Sequence, residues 1–393
     1  MSISNYDPFD HAVLADPYPY YAFLRDRAPC YHVASRDMYV LSRYEDVRAA
    51  LSDTQVFSST QGVGYERRPV PMMIAYDPPQ HTRLRQIIAN RFTPRALEKW
   101  TPRIDAIAQA LVDPLLDKAE VDLVDELAEP FPVQVIAEMM NVPVERRADF
   151  KRWSDSTVLA LSGAVDLAPD QRAAVEQTIN EFATYFYGVI QERAPHAAEL
   201  DDLISLLLRA SDDGAKLDEA EVLSFCVLLL VAGNETTTNL IGNLLAHTAR
   251  VPDDWRRLGA EPNLVRSAIE ESLRHEAPIQ GFFRNTVSEV SVAGSSIPKD
   301  SKVMLLYAAA NRDPQKYPAP DEFRLDRNPI DHIAFGFGPH TCLGAHLARV
   351  EMRALLSYLL PRVARIVPDG EPTRTRNALL RGYEQLPVRI QAA

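Results

Sequence analysis

One cysteine in this chain stands among residues that suit it to chemistry. Residues 335 to 344 read Phe-Gly-Phe-Gly-Pro-His-Thr-Cys-Leu-Gly, so Gly336, Gly338, Pro339 and Gly344 crowd around Cys342. Glycine allows tight turns and close approach of backbone to a ligand. Directly after the cysteine an amphipathic helix is expected: Leu347, Val350, Ala354, Leu355 and Tyr358 recur at helical spacing, with Arg349 and Arg353 on other faces. A cysteine at a helix N-terminus feels the positive end of the dipole, which favours the thiolate, the form that binds metal. Zinc fits poorly, because it takes several protein ligands and none cluster here. A lone thiolate suits haem iron, whose porphyrin supplies the other in-plane donors. Cys30 and Cys226 are the other cysteines. For all three the bland reading is a small buried hydrophobe, and three cysteines so far apart do not suggest a disulfide framework.

A second feature lies upstream. The apolar run Phe225 to Gly233 breaks into Asn234-Glu-Thr-Thr-Thr-Asn239 and resumes at Leu240-Ile241. Polar residues in a buried helix are costly unless they are paired or functional. Gly233 in a helix interior costs ~1 kcal/mol relative to Ala, which suggests a local need and a helix distortion. Glu235 beside Thr236 is an acid beside an alcohol. Such a pair can relay the protons that dioxygen reduction consumes. A solvent-facing stripe or a packed threonine ladder would explain the same pattern without chemistry.

The residues Phe335, Gly338, His340, Cys342 and Gly344 resemble the haem-binding signature of the cytochromes P450. Ala232-Gly-Asn-Glu-Thr236 is similar to that family's oxygen-activation motif, with Glu where many members have Asp. The resemblance implies haem b with Cys342 as axial ligand, Phe335 packed near the sulfur and His340 on a propionate. His81-Thr-Arg-Leu-Arg85 resembles the family's propionate motif, which carries that role to His81 and Arg85, and Arg284 takes the place of a further propionate cation. Glu271-Ser-Leu-Arg274 resembles the family's Glu-x-x-Arg scaffold pair, with Arg327 as first candidate partner and Arg324 as second. By spacing alone it would be a surface ion pair of little worth.

The same resemblance makes 58 to 73 the variable substrate loop. Leu229, Ala232, Ile279, Phe282 and Leu379 are candidate pocket residues, with Leu228, Gln280, Gly281 and Leu380 beside them. Each could equally be ordinary core. Arg67 and Arg68 could anchor an acidic substrate or simply face water.

These groups need a scaffold. The stretch Asp218 to Arg250 contains no proline and predicts one long helix, ~50 Å at ~1.5 Å per residue. A second helix is expected over about 263 to 276, stopped by Pro278, and a third from Cys342 to near Leu360. Met38 to Ser42, Val287 to Val292, Val303 to Tyr307 and Leu386 to Ile390 read as strands, and 311 to 330 as a loop. The expected fold is mainly α with small β-sheets, a cytochrome P450 fold with a helix-rich lobe and a smaller β-rich lobe. Nothing marks a domain boundary, so 1–393 reads as one domain.

The 393 residues carry a net charge of -12, which argues against nucleic acid as partner. The N-terminal residues show no basic region followed by an apolar run, and the longest apolar run is far shorter than the ~20 residues that span a bilayer. A cytoplasmic enzyme without membrane attachment is expected. Its reaction would insert one atom of O2 into a small apolar organic substrate, with electrons from a ferredoxin and its reductase, since the chain leaves no room for a fused reductase. Arg83, Arg85, Arg91, Arg95, Lys99 and Arg103, opposed only by Glu98, form a basic stretch. With Arg349 and Arg353 it would dock an acidic ferredoxin on the cysteine side. A peroxide-driven peroxygenase, a haem-based sensor or carrier, and a haem-thiolate isomerase or dehydratase are the rivals.

Overall fold

Hydrophobic periodicity and caps set the helices. The computed structural model describes residues 5–161, 168–212 and 215–393, and its longest element is the helix Glu219–Arg250, here the central helix. A capping box fixes its start. The Glu221 N–H donates to the Asp218 carboxylate at 2.8 Å, and the Asp218 N–H donates to the Glu221 carboxylate at 3.1 Å. It stops at Val251, because the residue before Pro252 is pushed out of helical geometry.

By length and hydropathy this helix could cross a membrane. Here its apolar faces pack against Pro130–Met139, Arg147–Leu161, Pro169–Arg193, Leu264–His275 and Ala345–Leu359. It is the axis of a helix-rich lobe. The last of these, the cysteine helix, starts at Ala345, three residues after Cys342 rather than directly behind it.

The smaller lobe is a five-stranded sheet of Cys30–Val33, Met38–Leu41, Lys302–Leu305, Phe282–Thr286 and Phe57–Ser58, in that spatial order. Its pairs are antiparallel except Lys302–Leu305 beside Met38–Leu41, which is parallel and joins segments far apart in sequence. In Phe282–Thr286 the alternation of strand side chains puts Phe282 and Arg284 on one face. Three expected strands are shorter than the sequence suggested, the first of them ending at Leu41 instead of Ser42. Val287 is exposed, and Val290–Val292 pairs with Ser295–Ile297 through Ala293 and Gly294, both at positive φ (49° and 80°). Tyr307 begins a helical turn, Tyr307–Ala310, instead of ending a strand. From 311 to 337 the chain has neither helix nor strand. The first four residues, part of the N-terminal stretch judged above, lie outside the described residues.

Candidate active site

The loop before Cys342 is held by its own backbone. The Cys342 N–H donates to the Phe335 carbonyl at 2.8 Å, that of Gly336 to Ile333 at 2.9 Å, and that of Thr341 to Gly338 at 3.1 Å. Gly336 and Gly338 have φ of 69° and 72°. A Cβ on Gly338 would lie 2.8 Å from the Leu51 carbonyl oxygen, so space as well as conformation demands glycine.

The sulfur is open to an internal cavity of about 280 Å³. Burial raises the thiol above its ordinary value, while the N–H groups of Gly344 and Ala345 and the guanidiniums of Arg85 and Arg349 pull it down. The expected stabilisation of the thiolate is present, but in the chain alone burial outweighs it.

His81, Arg85, Arg284 and His340 all line this cavity. The two imidazoles lie 4.1 Å apart between centroids. Among the described residues both ring nitrogens of buried His81 lack a hydrogen-bond partner, and His340 Nε2 is 3.5 Å from Ser59 Oγ. Burial lowers His81 to about 4, with Arg85 and Arg284 adding to the effect and Asp77 opposing it. Burial, then Arg284, His81 and Arg85, lower His340 to about 2. Burial and the two guanidiniums thus keep both imidazoles neutral in the chain alone, and anions placed among these four groups would be met by two charges and two N–H donors. The two propionates of haem supply such anions, beside a lone sulfur. Among the described residues no group of three or more His, Cys, Asp or Glu could hold a bare metal ion. The donor set therefore fits haem.

The same cavity is lined by Thr236, whose hydroxyl donates to the Ala232 carbonyl at 2.7 Å, spanning Gly233. A Cβ on Gly233 would meet nothing within 4 Å, so the glycine leaves space at the cavity wall. The expected helix distortion is absent: the backbone stays α-helical throughout, because the threonine bonds within the helix instead of breaking it. Glu235 is pushed up to about 7, first by burial, then by Asp155 and Glu129, with Lys151 opposing. The Lys151 ammonium is itself bonded to Asp155 at 2.8 Å and to Glu129.

The other polar residues have separate neighbours. Asn234 donates to Ser154 Oγ at 3.2 Å, Thr237 is hydrogen-bonded to Glu351, and Asn239 packs so closely that a Cβ on Gly382 would lie 1.8 Å from its oxygen. The run is neither a solvent stripe nor a threonine ladder.

Two ion clusters brace the cysteine side. Glu271 and Arg274 have no exposed side-chain surface and share two bonds of 2.7 and 2.8 Å. Arg327 adds a bond to Glu271 at 3.0 Å, whereas Arg324 contributes only its backbone N–H at 2.9 Å, its side chain turning to Asp326. This is the opposite of a surface pair. Arg274 also donates to the carbonyls of Asn311, Pro320 and Glu322, fixing the loop that leads to the cysteine. Beside it, Glu270 takes two 2.6 Å bonds from Arg349 and one of 3.1 Å from His332. Burial alone would raise Glu270, but these bonds hold it at about 2. The Arg349 guanidinium lies 4.6 Å from the Phe335 ring centroid, so the cluster backs the wall beside the sulfur.

Leu229, Ala232, Ile279, Phe282 and Leu379 all line the cavity, as do Leu228, Leu380, Phe335 and Gly344. Two neighbours do not. Gln280 turns away to accept from the Tyr21 hydroxyl at 2.9 Å, and Gly281 is pressed against Leu305, where a Cβ would come within 2.3 Å of the carbonyl oxygen.

Sequence reasoning missed Glu351. It lines the cavity, is buried with one oxygen unpartnered, and is raised well above the usual carboxylate range by burial. The signal was present: Glu351 stands four residues after Leu347, on the apolar side of the cysteine helix.

A helix-rich body around one cavity that holds a cysteine thiol, two arginines with two histidines, and an acid–alcohol pair defines a haem-thiolate class of protein. Comparison with known proteins agrees. The family model described as Cytochrome P450 matches residues 26–382. Beta-dihydromenaquinone-9 omega-hydroxylase of Mycobacterium tuberculosis is 37% identical, over 99% of this chain and 79% of its own length. Cytochrome P450 107B1 of Saccharopolyspora erythraea is 38% identical, over 97% and 96%. The solved structure of CYP109Q5 from Chondromyces apiculatus is 38% identical with a TM-score of 0.89, covering 100% of this chain and 99% of that one. CYP109E1 from Bacillus megaterium in complex with testosterone is 33% identical with a TM-score of 0.86, covering 95% and 99%. The chain belongs to the cytochrome P450 family, is an oxidoreductase of the monooxygenase type, and by its family takes a haem cofactor.

Proposed function

We propose that the chain acts as one domain, 1–393, that inserts one oxygen atom of O2 into an apolar organic substrate. Cys342 would hold the iron of haem b, and His81, Arg85, Arg284 and His340 its propionates; the group would supply the redox chemistry that activates dioxygen. Phe335 and Gly344 pack at the sulfur. On the opposite wall Glu235, raised to about 7, holds a proton at its carboxyl near neutral pH, and Thr236 holds one at Oγ1. These two residues deliver protons one at a time and limit access of water. Leu229, Ala232, Ile279, Phe282 and Leu379 orient the apolar substrate. Electrons come from a ferredoxin and its NAD(P)H reductase in the cytoplasm. The observation that carries this reading is that one cavity receives the lone sulfur, two arginines and two histidines, and the acid–alcohol pair together. Turnover with heavy-oxygen dioxygen, a ferredoxin and a reductase tests it: the product should carry one labelled atom. Label arriving from water, or turnover only with peroxide, would contradict it.

A further inference from the structure

Setting aside His81, Arg85, Arg284, His340, Glu235 and Glu351, the described residues put two charged side chains on the cavity wall, Glu66 and Arg68. Both are exposed and belong to the loop expected to meet substrate. Neither side chain has a hydrogen-bond or ion-pair partner among the described residues. The neighbouring Arg67 is different: its guanidinium donates to the Asp300 carbonyl, outside the cavity.

The loop backbone beneath Arg68 is fixed. The Gly62 N–H donates to Ser59 at 2.9 Å and the Arg68 N–H to Gln61 at 3.0 Å. Gly62 has a φ of 89°, and a Cβ there would sit 2.7 Å from the Arg68 carbonyl oxygen. The Phe283 N–H donates to Val63 at 2.9 Å, and Tyr65 is wedged against Phe9 and Phe283 at 4.9 and 5.8 Å. Arg68 therefore stands on a backbone tied to the sheet, with its guanidinium free.

The surroundings favour an anion over a cation. Lys302 is buried, its ammonium 5.6 Å from the centroid of the Phe283 ring and without a hydrogen-bond partner among the described residues. Burial, then Arg67 and Arg284, lower it to about 8, so it still carries charge at neutral pH. Arg67, Arg68 and Lys302 thus outnumber the two acids beside them, Glu66 and Asp300, in a chain whose net charge is -12. Potentials of this kind select the charge of an entering ligand.

We infer that Arg68 binds a carboxylate at one end of the substrate, whose remaining body is apolar: the substrate class is an amphiphilic carboxylic acid. This rests on the cavity being the substrate chamber, as proposed above. The apolar body takes the wall of Leu228, Leu229, Ile279 and Phe282, and the carboxylate stays at the wetter, positive rim.

The test compares dodecanoate, methyl dodecanoate and dodecyltrimethylammonium on the haem-loaded protein, reading dissociation constants from the Soret shift. The wild type should bind the acid about fivefold tighter than the ester, the range of a solvent-accessible ion pair, and less so at high salt. Arg68→Gln should make acid and ester equal and leave the ester unchanged, while Arg67→Gln keeps the preference. Equal affinities in the wild type would overturn the assignment. So would a preference that survives Arg68→Gln, or one lost equally in Arg67→Gln. Tightest binding of the ammonium, abolished by Glu66→Gln, would overturn it in favour of a cationic substrate. If no ligand moves the Soret band, equilibrium dialysis of the three compounds decides the same comparison. Failure of the haem-thiolate reading would show separately, in the carbonyl spectrum of the unliganded protein.

Discussion

Thr236 and Glu235 are sequence neighbours with different tasks. The threonine hydroxyl is already committed to the Ala232 carbonyl, so its loss leaves the helix intact and the cavity slightly larger. Thr236→Ala should bind substrate normally but make less product and more hydrogen peroxide per NADH consumed; unchanged coupling would assign the protons to another group. Glu235→Gln keeps shape and removes the acid, so it should slow turnover more than it lowers coupling. The pH behaviour follows from the sign of the shift. Glu235 is raised to about 7 by burial, then by Asp155 and Glu129, from an ordinary 4.5. Between those values the folded chain keeps a proton that the unfolded chain has released, so stability falls as pH rises through that window. Thermal midpoints measured on both sides of it should show a smaller fall in Glu235→Gln than in the wild type. Both residues were legible as a polar break in an apolar run. Glu351 was not noticed, because an acid on an amphipathic helix ordinarily turns outward.

The elements behind the sulfur hold their charges without exposing them. Removing one partner of a fully buried pair leaves the other charge uncompensated, at a cost of about 3–5 kcal/mol. Glu271→Gln should therefore lower stability by about that much and release haem on mild heating; a variant as stable as the wild type would make the pair dispensable. Glu270 works in the other pH direction from Glu235. The bonds from Arg349 and His332 outweigh burial and hold it at about 2. Its contribution is complete above about 4.5 and lost as pH falls towards 2. Acid titration of haem retention should show Glu270→Gln losing less between neutral and acid pH than the wild type. The helices around these pairs were readable because caps, prolines and apolar spacing act within a few residues. Arg327 could be placed near Glu271 only by resemblance, since their contact spans 56 positions of chain. The strand ends near Val287 and Tyr307 were misread because isolated β-branched and aromatic residues look alike in a hairpin, a helical turn and a sheet.

Across the whole molecule, the basic stretch thins once its partners are visible. Arg83 pairs with Glu221, Lys99 with Asp201, Arg103 with Glu138 and Arg349 with Glu270, while Arg85 lines the cavity. Arg95 and Arg353 are exposed, without a partner among the described residues, and their helices, Pro94–Leu97 and Ala345–Leu359, touch. Together, one from the stretch and one from the cysteine helix, they are well placed to steer the proposed acidic ferredoxin. Arg95→Glu with Arg353→Glu should slow reduction by ferredoxin and leave substrate affinity unaltered. The wild-type rate should also fall as salt rises above ~0.1 M, where charges more than ~10 Å apart are screened. A salt-independent rate would move docking elsewhere. All of this depends on a thiolate from Cys342 reaching haem iron, and the most direct measurement is the carbonyl spectrum of the reduced, haem-loaded protein. The wild type should show the red-shifted Soret band of a thiolate-ligated haem, and Cys342→Ser should lose it. A Cys342→Ser protein that kept the band, or a wild type that never showed it, would contradict the account.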